Sequence, residues 1–410
     1  MVRRLVVVGA SLAGLRAVEA ARRAGFDGEV VLVGDEAHLP YDRPPLSKAY
    51  LADETPSEPW FRTADHLRDE LGVTLMLGTP ASGLDAERQV LRVGDAEVRY
   101  DALVIATGAT ARRWPGTEEL GGVHPLRTLD DARSVRAALD AGARTVVVGA
   151  GFIGSEVAAG ARKRGLDVTI VEALDVPLSR SVGTEIGEAC TQLHREQGTD
   201  LRCGVTVTGF EERDGAVTAV RLSDGSTVAA DLVVVGIGVI PNTGWLAGSG
   251  VRLHERDGGI VCDESLWTGV PGVYAAGDVM HWPNPLFDGE VMRLEHWTTA
   301  AEQGACAARN AIEPGRDEAL STVPYFWSDW YDHRIQFVGI PRADEVRVVS
   351  AEQDDDRFLA LYRRGDRLVG VLSVDRPTQI MKYRRLIVNR ASWTEALEFA
   401  GVSTQQAVTR

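Results

Sequence analysis

The chain repeats itself once, at long range, and this repeat limits the possible folds more than any other feature. Leu5-Val6-Val7-Val8-Gly9-Ala10-Ser11-Leu12-Ala13-Gly14 is echoed by Thr145-Val146-Val147-Val148-Gly149-Ala150-Gly151-Phe152-Ile153-Gly154. Each copy is an apolar β-branched run, a glycine-rich turn and an alanine-rich helical pattern. Each then enters a second apolar run that ends in acid: Val30 to Val33 followed by Asp35 and Glu36, and Val168 to Val171 followed by Glu172. Strands buried on both faces read as unbroken Val/Ile/Leu runs. A strand, a tight glycine turn, a helix and a strand ending in a carboxylate make the βαβ unit that binds a dinucleotide. Two copies predict an α/β chain with two dinucleotide-binding, Rossmann-like domains.

The turns differ in detail. In the second, Gly149, Gly151 and Gly154 form the full G-x-G-x-x-G pattern, and Glu172 stands where a carboxylate accepts from a ribose 2′-hydroxyl and repels a 2′-phosphate. That predicts NADH as the ligand. In the first, Gly9 and Gly14 frame a Ser11 in the middle position. A serine is small enough for this place, and the helix amino terminus behind it still offers N–H groups and a positive dipole end to a pyrophosphate. Asp35, with Glu36 as its competitor, is the expected ribose ligand. Two more apolar runs, Ala102 to Ala106 and Leu232 to Val235, are followed closely by Gly108 and Gly236, as strands that end at a ligand crevice often are.

The last ninety or so residues change character. Aromatics cluster at Tyr325-Phe326-Trp327-Ser328-Asp329-Trp330, and two alternating segments, 357–362 and 368–372, flank a Gly365-Asp366 turn that predicts a hairpin. This is a small α+β domain with antiparallel strands. At roughly 100–200 residues per domain, 410 residues suit such a division.

Composition removes several function classes. The formal net charge of -15 argues against a nucleic-acid binder and against attraction to an anionic membrane. No run approaches the roughly 20 apolar residues needed to span a bilayer. The first apolar stretch, Leu5 to Val8, is too short for a signal-peptide core, so a cytoplasmic protein is expected. Cys190, Cys203, Cys262 and Cys306 are far apart and predict reduced or buried thiols. His66, His194, His254 and His281 stand isolated, and no metal is expected.

Taken together, the motifs make the chain similar to the ferredoxin reductases of bacterial oxygenase systems. The resemblance runs over essentially the whole sequence. It is carried by Gly9 to Gly14, by Pro40-Tyr41-Asp42-Arg43-Pro44-Pro45-Leu46-Ser47-Lys48, by Ala106-Thr107-Gly108, by Gly149 to Glu156, by Val273 to Asp278 with Gly277, and by Glu295-His296-Trp297. It implies a glutathione-reductase-type architecture with a small α+β carboxyl-terminal domain. The FAD domain is then split over 1–112 and 242–321, the NAD domain covers 113–241, and the carboxyl-terminal domain covers 322–410.

The resemblance also implies roles. The first unit takes FAD, touched by Ala13, Asp35, Arg43, Lys48, Ala81, Arg127, Asp278 and Trp297, and the second takes NADH. Lys48 lies near the flavin N5 edge, Glu156 points to the nicotinamide and pairs with Lys48, and Asp278 bonds the ribityl chain. His296 belongs to the flavin motif. Thr299 to Glu302 fits a capping box, so a helix should begin near Trp297 and turn its positive end to the reduced flavin. The aromatic segment from Tyr325 is read as packing of the last domain on the FAD domain.

Residues 38–50 contain no cysteine, so electrons do not leave through a thiol relay. The expected activity is hydride transfer from NADH to FAD, then single electrons to a small acidic iron–sulfur ferredoxin that feeds a haem monooxygenase or a Rieske dioxygenase. The competing readings are a rubredoxin reductase, an NADH oxidase and a redox-sensing interaction protein of the apoptosis-inducing-factor kind. An acidic reductase meeting an acidic ferredoxin needs a local basic patch. Lys382, Arg384 and Arg385 are the expected patch, joined by Arg334 and Arg293, with Met381 and Ile387 packed inward.

Overall fold

The computed structural model describes residues 2–349 and 357–402. They form two compact units.

The first unit comprises the chain up to Asp42, Glu58–Thr110 and Val239–Pro324. Its centre is a parallel five-stranded sheet in the order Val273–Ala275, Ala102–Ile105, Arg4–Val8, Glu29–Val33, Val73–Met76. The apolar runs form its strands, and Leu5, Val6, Val7 and all of Ala102–Ile105 are buried on both faces. Arg4–Val8 pairs with Glu29–Val33 on one side and Ala102–Ile105 on the other, so chain order reverses at its carboxyl end. A crevice opens at such a switch point. Helix Leu12–Arg23 packs there on helix Trp297–Ile312, so closely that a Cβ on Gly304 would lie 2.1 Å from the Ala13 carbonyl oxygen.

The second unit comprises Arg43–Ser57, Ala111–Gly238 and the described chain from Tyr325 on. Its parallel sheet runs Asp200–Cys203, Val168–Glu172, Thr145–Val148, Leu232–Val235, Val123–Pro125. Thr145–Val148 again stands at the reversal of order. A second sheet is wholly antiparallel, in the order Tyr325–Trp330, His333–Gly339, Arg367–Val374, Leu359–Arg364, Glu345–Val349. The expected hairpin is its Leu359–Arg364 and Arg367–Val374 pair. Segment 43–57 joins this unit because arginines hold its carbonyls. Arg136 donates to the oxygens of Tyr50, Asp53 and Glu54 at 2.6 to 2.8 Å, and Arg164 donates to that of Leu51 at 2.6 Å.

Two local expectations need correction. Helix Trp297–Ile312 does begin at Trp297, but its cap is His296 and no capping box forms. Thr299 lies inside the first turn, and Glu302 accepts from Thr322 instead. The complete capping boxes of the described chain are Thr128 with Asp131 and Ser392 with Glu395. In helix Pro377–Val388, Ile387 is buried as expected but Met381 is 49% exposed, because Ile380 and Tyr383 fill the inward face. Phe326 and Trp330 pack on Phe152 of helix Phe152–Lys163, with ring centroids at 4.7 and 6.2 Å, so this aromatic segment lies against the second dinucleotide unit. Among the described residues no helix is long and apolar enough to cross a membrane.

Candidate functional site

Both glycine turns are built for close backbone approach. Gly9 has φ +115° and its missing Cβ would meet the Ala106 oxygen at 2.0 Å; a Cβ on Gly14 would meet the Gly9 oxygen at 1.9 Å. In the second unit, Gly149 has φ +101° and faces the Gly236 oxygen at 2.5 Å, and Gly154 faces the Gly149 oxygen at 2.2 Å. Positive φ and contacts under 3 Å exclude any side chain at these places. At Gly151 a Cβ would meet nothing within 4 Å. That open face precedes the free N–H groups of helix Phe152–Lys163, where a pyrophosphate can approach. Ile153, one residue into that helix, is 43% exposed. Ser11 takes the corresponding place before helix Leu12–Arg23, with extended backbone and no side-chain cap bond.

The acids at the strand ends are held differently. Both oxygens of Glu172 accept backbone N–H groups, from Ala150 at 2.8 Å and Leu174 at 2.9 Å. The carboxylate therefore lies against the second glycine turn. Glu36 accepts from the Tyr41 hydroxyl at 2.5 Å, whereas Asp35 is exposed and accepts from the Glu36 N–H at 3.0 Å.

A second part of the first unit gathers the later motifs. Gly277 has φ +83°, and its N–H donates to Gln303 Oε1 at 2.8 Å. Gln303 Nε2 and Thr299 Oγ1 are buried with no hydrogen-bond partner among the described residues. Buried polar atoms are rarely left so, and Gln303, beside the Gly277-Asp278 turn, fits a polar ligand such as FAD. Arg293 clamps the turn: it donates to the Asp278 carbonyl at 3.0 Å and to Asp257 at 3.0 Å, and pairs with Glu295 at 2.9 Å. Trp297 Nε1 donates to Asp42 at 2.7 Å. Burial pushes the His296 imidazole down to about 4, against the opposing pull of Asp278, so it is neutral at pH 7. Thr107 exchanges two bonds with Asn242: its hydroxyl donates to the Asn242 carbonyl at 2.8 Å and its carbonyl accepts from Nδ2 at 2.9 Å. Ala81 opens the strand Ala81–Asp85.

In the second unit Lys48 and Glu156 meet. Lys48 Nζ lies 2.8 Å from Glu156 Oε1, with side chains 16% and 3% exposed. Glu156 also accepts from the hydroxyls of Ser47 and Ser328. Its carboxylate is buried but fully bonded, which is what allows a charge to stay there. Arg43 donates to the Arg127 carbonyl at 2.7 Å, so these two lie together as well. The expected residues thus fall into two groups. Gly9 to Gly14, Asp35, Glu36, Ala81, Ala106 to Gly108, Gly277, Asp278 and Glu295 to Trp297 belong to the first unit, and Arg43, Lys48, Arg127, Gly149 to Gly154, Glu156, Glu172 and Gly236 to the second.

Sequence reading missed Ser47 and Ser328 as partners of Glu156, and Gln303 and Asn242 altogether. Ser47 lies in the 40–48 segment next to the charged Lys48 and has no signal of its own, and neither does Gln303. Two histidines that no ligand spacing connects in the sequence come together. The rings of His254 and His281 stack at 4.2 Å, and Asp257 accepts from His281 at 2.9 Å and lies 3.4 Å from His254. These three side chains could approach one ion. Stacked ring planes cannot both aim a lone pair at it, however, and Arg293 already holds the carboxylate. All four cysteines are free thiols, and burial pushes Cys190 up to about 12 and Cys306 up to about 11, which leaves neither reactive.

Comparison with known proteins agrees with this geometry. The model of the pyridine nucleotide-disulphide oxidoreductase family matches residues 3–304, and that of the reductase C-terminal domain matches 325–404. Rhodocoxin reductase of Rhodococcus erythropolis is 37% identical over 95% of this chain and 90% of its own length. The ferredoxin–NAD(+) reductase component of the p-cumate 2,3-dioxygenase system of Pseudomonas putida is 36% identical over 95% and 94%. Among solved structures, the covalent putidaredoxin reductase–putidaredoxin complex superposes with a TM-score of 0.88 at 35% identity, covering 95% of this chain and 93% of that one.

Proposed function

Since the chain belongs to the pyridine nucleotide-disulphide oxidoreductase family and carries its reductase C-terminal domain, we propose that it is an FAD-containing, NADH-dependent ferredoxin reductase. Its acceptor is a small acidic iron–sulfur ferredoxin that serves an oxygenase, and it works in the cytoplasm. The observation that carries this reading is the buried Lys48–Glu156 pair two residues past the second glycine turn, in a chain with no cysteine at 38–50. Without a thiol relay electrons leave the flavin directly, as one-electron transfer to an iron–sulfur carrier requires.

FAD, when bound, supplies a two-electron acceptor for hydride and a one-electron donor for the ferredoxin. The first glycine turn holds its pyrophosphate and Asp35 its adenosine ribose. Of the residues that the resemblance gives to FAD, Ala81, Asp278 and Trp297 lie in the same unit as this turn, and Gln303 supplies a buried polar atom beside Gly277. The second glycine turn holds NADH. The FAD domain is split over 1–112 and 242–321 around the NAD domain, with the last domain from 322. The test is NADH oxidation with a panel of purified [2Fe–2S], [3Fe–4S] and rubredoxin acceptors. Coupled reduction of an iron–sulfur ferredoxin is expected; a bound flavin reduced by NADH that passes electrons to none of them would sink the proposal.

Glu172 sets the nicotinamide preference. Its carboxylate sits at the glycine turn, where a 2′-phosphate would meet like charge. Glu172→Ala is expected to narrow the NADH to NADPH ratio of kcat/KM by about tenfold. A wild type that prefers NADPH, or a ratio the substitution leaves alone, would show that specificity lies elsewhere.

Docking of an acidic partner is assigned to helix Pro377–Val388. Lys382 and Arg385 have no ion pair among the described residues, and they rim a groove of about 440 Å³ lined also by Met381, Leu386, Asn389 and Phe399. Exposed Met381 and Phe399 with two unpaired cations match a small interface with an apolar centre and a charged rim. Arg293 is withdrawn from this patch, since it is tied to Asp257, Asp278 and Glu295. Arg334 leans over the Trp327 ring, 6.0 Å from its centre. Reversing Lys382 and Arg385 to Glu should slow association with ferredoxin at low salt and spare ferricyanide reduction. Equal ferredoxin kinetics at low salt would move the site.

A further inference from the structure

Behind Glu156 lies a closed ring of buried side chains that nothing in the proposed chemistry uses. Ser328 donates to Glu156 and accepts from Trp330 Nε1 at 2.8 Å. The Trp330 ring stacks on His194, with centroids 4.9 Å apart and planes at 27°. His194 Nε2 bonds Ser155 Oγ at 3.1 Å, and Ser155 precedes Glu156 in helix Phe152–Lys163. Ser155, His194, Ser328 and Trp330 are all 0% exposed. On its other side His194 Nδ1 bonds the Tyr331 hydroxyl at 2.6 Å, which bonds Thr199 at 2.7 Å. Every polar atom on this path has a partner, and a satisfied buried network fixes one arrangement. Burial holds the His194 ring neutral, pushed down to about 4, so the stack carries no charge of its own to trade with Glu156.

We propose that Trp330 and His194 are positioning residues for hydride transfer, acting through the Ser328 hydroxyl to fix the direction of the Glu156 carboxylate. This rests on the reading that Lys48 and Glu156 stand at the hydride site. One hydroxyl has one proton. While Trp330 N–H donates to Ser328 Oγ, that proton is directed at Glu156, and Glu156 in turn is held toward Lys48. Without the indole N–H the Ser328 oxygen loses its second anchor, and the direction of its bond to the carboxylate is no longer fixed.

The test uses holoenzyme. Trp330→Phe keeps an aromatic ring against His194 and Phe152 and deletes the N–H together with part of the indole, so Tm is read beside the rate; Ser328→Ala deletes the relay without touching that packing; the double variant closes the cycle. Three quantities are read: the limiting rate of flavin reduction by NADH with its half-saturating concentration, the midpoint potential of the bound flavin, and FAD content with Tm. Trp330→Phe should lower the limiting rate by about three- to tenfold, leave half-saturation within about twofold, and shift the potential in the same direction as Ser328→Ala. The double variant should match Ser328→Ala alone, because both act on one hydroxyl. His194→Gln, which can still bond Ser155 but offers no ring to Trp330, should behave like Trp330→Phe. Wild-type limiting rates in Trp330→Phe and Ser328→Ala with full flavin, or losses that multiply in the double variant, overturn the proposal. If instead Glu156→Gln itself leaves the limiting rate untouched, the hydride-site reading fails first.

Discussion

Glu156→Gln is expected to slow reduction of the bound flavin by NADH about 100-fold while the fold survives. The carboxylate accepts from Lys48, Ser47 and Ser328 in a site only 4% exposed. Glutamine keeps the shape and one acceptor oxygen. Its amide hydrogens can be received by a serine hydroxyl that reverses its own bond, but never by the ammonium of Lys48. The oxygen therefore settles on Lys48, and what is lost is the negative charge. Lys48, 16% exposed, then stands as a poorly compensated cation at the proposed hydride site. Glu156→Ala is the less informative change. It strips an acceptor from three donors at once, and breaking a buried ion pair costs about 3–5 kcal/mol, so lost activity would be mixed with lost stability. The measurement is stopped-flow reduction with Tm and FAD content as controls. A Glu156→Gln enzyme that reduces its flavin at the wild-type rate would make the pair structural.

Much of this arrangement could be read from the sequence, and the reason is backbone geometry. Gly9, Gly14, Gly149 and Gly154 are demanded by contacts of 1.9 to 2.5 Å with carbonyl oxygens, and a demand of that kind fixes the residue type at a fixed spacing. The parallel strands were equally plain, since burial on both faces leaves no alternation to misread. The Lys48–Glu156 pair needed the family resemblance, because a lone lysine in a proline-rich turn has no periodic signature. What stayed hidden depends on long-range side-chain contact. Ser328 reaches Glu156 from a strand distant in sequence, and its bond is decided by the register of the Tyr325–Trp330 strand. The misplaced capping box shows the same limit: Thr299 and Glu302 have the right spacing, but Glu302 accepts from Thr322, Thr299 lies inside the first turn, and the helix is capped at His296. Met381 was turned outward by competition with Ile380 and Tyr383 for one buried face.

The position hardest to foresee should also be among the least tolerant. Gly304→Ala is expected to destabilise the first unit by about 3 kcal/mol, at the upper end of what overpacking costs. A Cβ at Gly304 would lie 2.1 Å from the Ala13 oxygen and 3.1 Å from the Ala13 Cα. The obstacle is backbone rather than a side chain that can swing aside, and Gly304 has ordinary helical φ, so the strain is entirely steric. Relief requires helix Trp297–Ile312 to withdraw from helix Leu12–Arg23. That withdrawal carries Gln303 away from the Gly277 N–H, which it accepts at 2.8 Å, and Ala300 and Ala13 away from the Gly277 turn they flank. Flavin retention should therefore fall together with stability: Tm drops by roughly 6–12 °C, and FAD is lost on extensive dialysis. Gly304→Ser, one atom larger, should be worse, whereas Gly315→Ala, whose Cβ would meet nothing within 4 Å but whose φ of +92° disfavours a side chain, isolates the cost of backbone strain without the clash. A Gly304→Ala protein with wild-type Tm and a full complement of FAD would mean that the two helices can part without cost, and the packing that places Gly277 beside Ala13 would lose its assigned role.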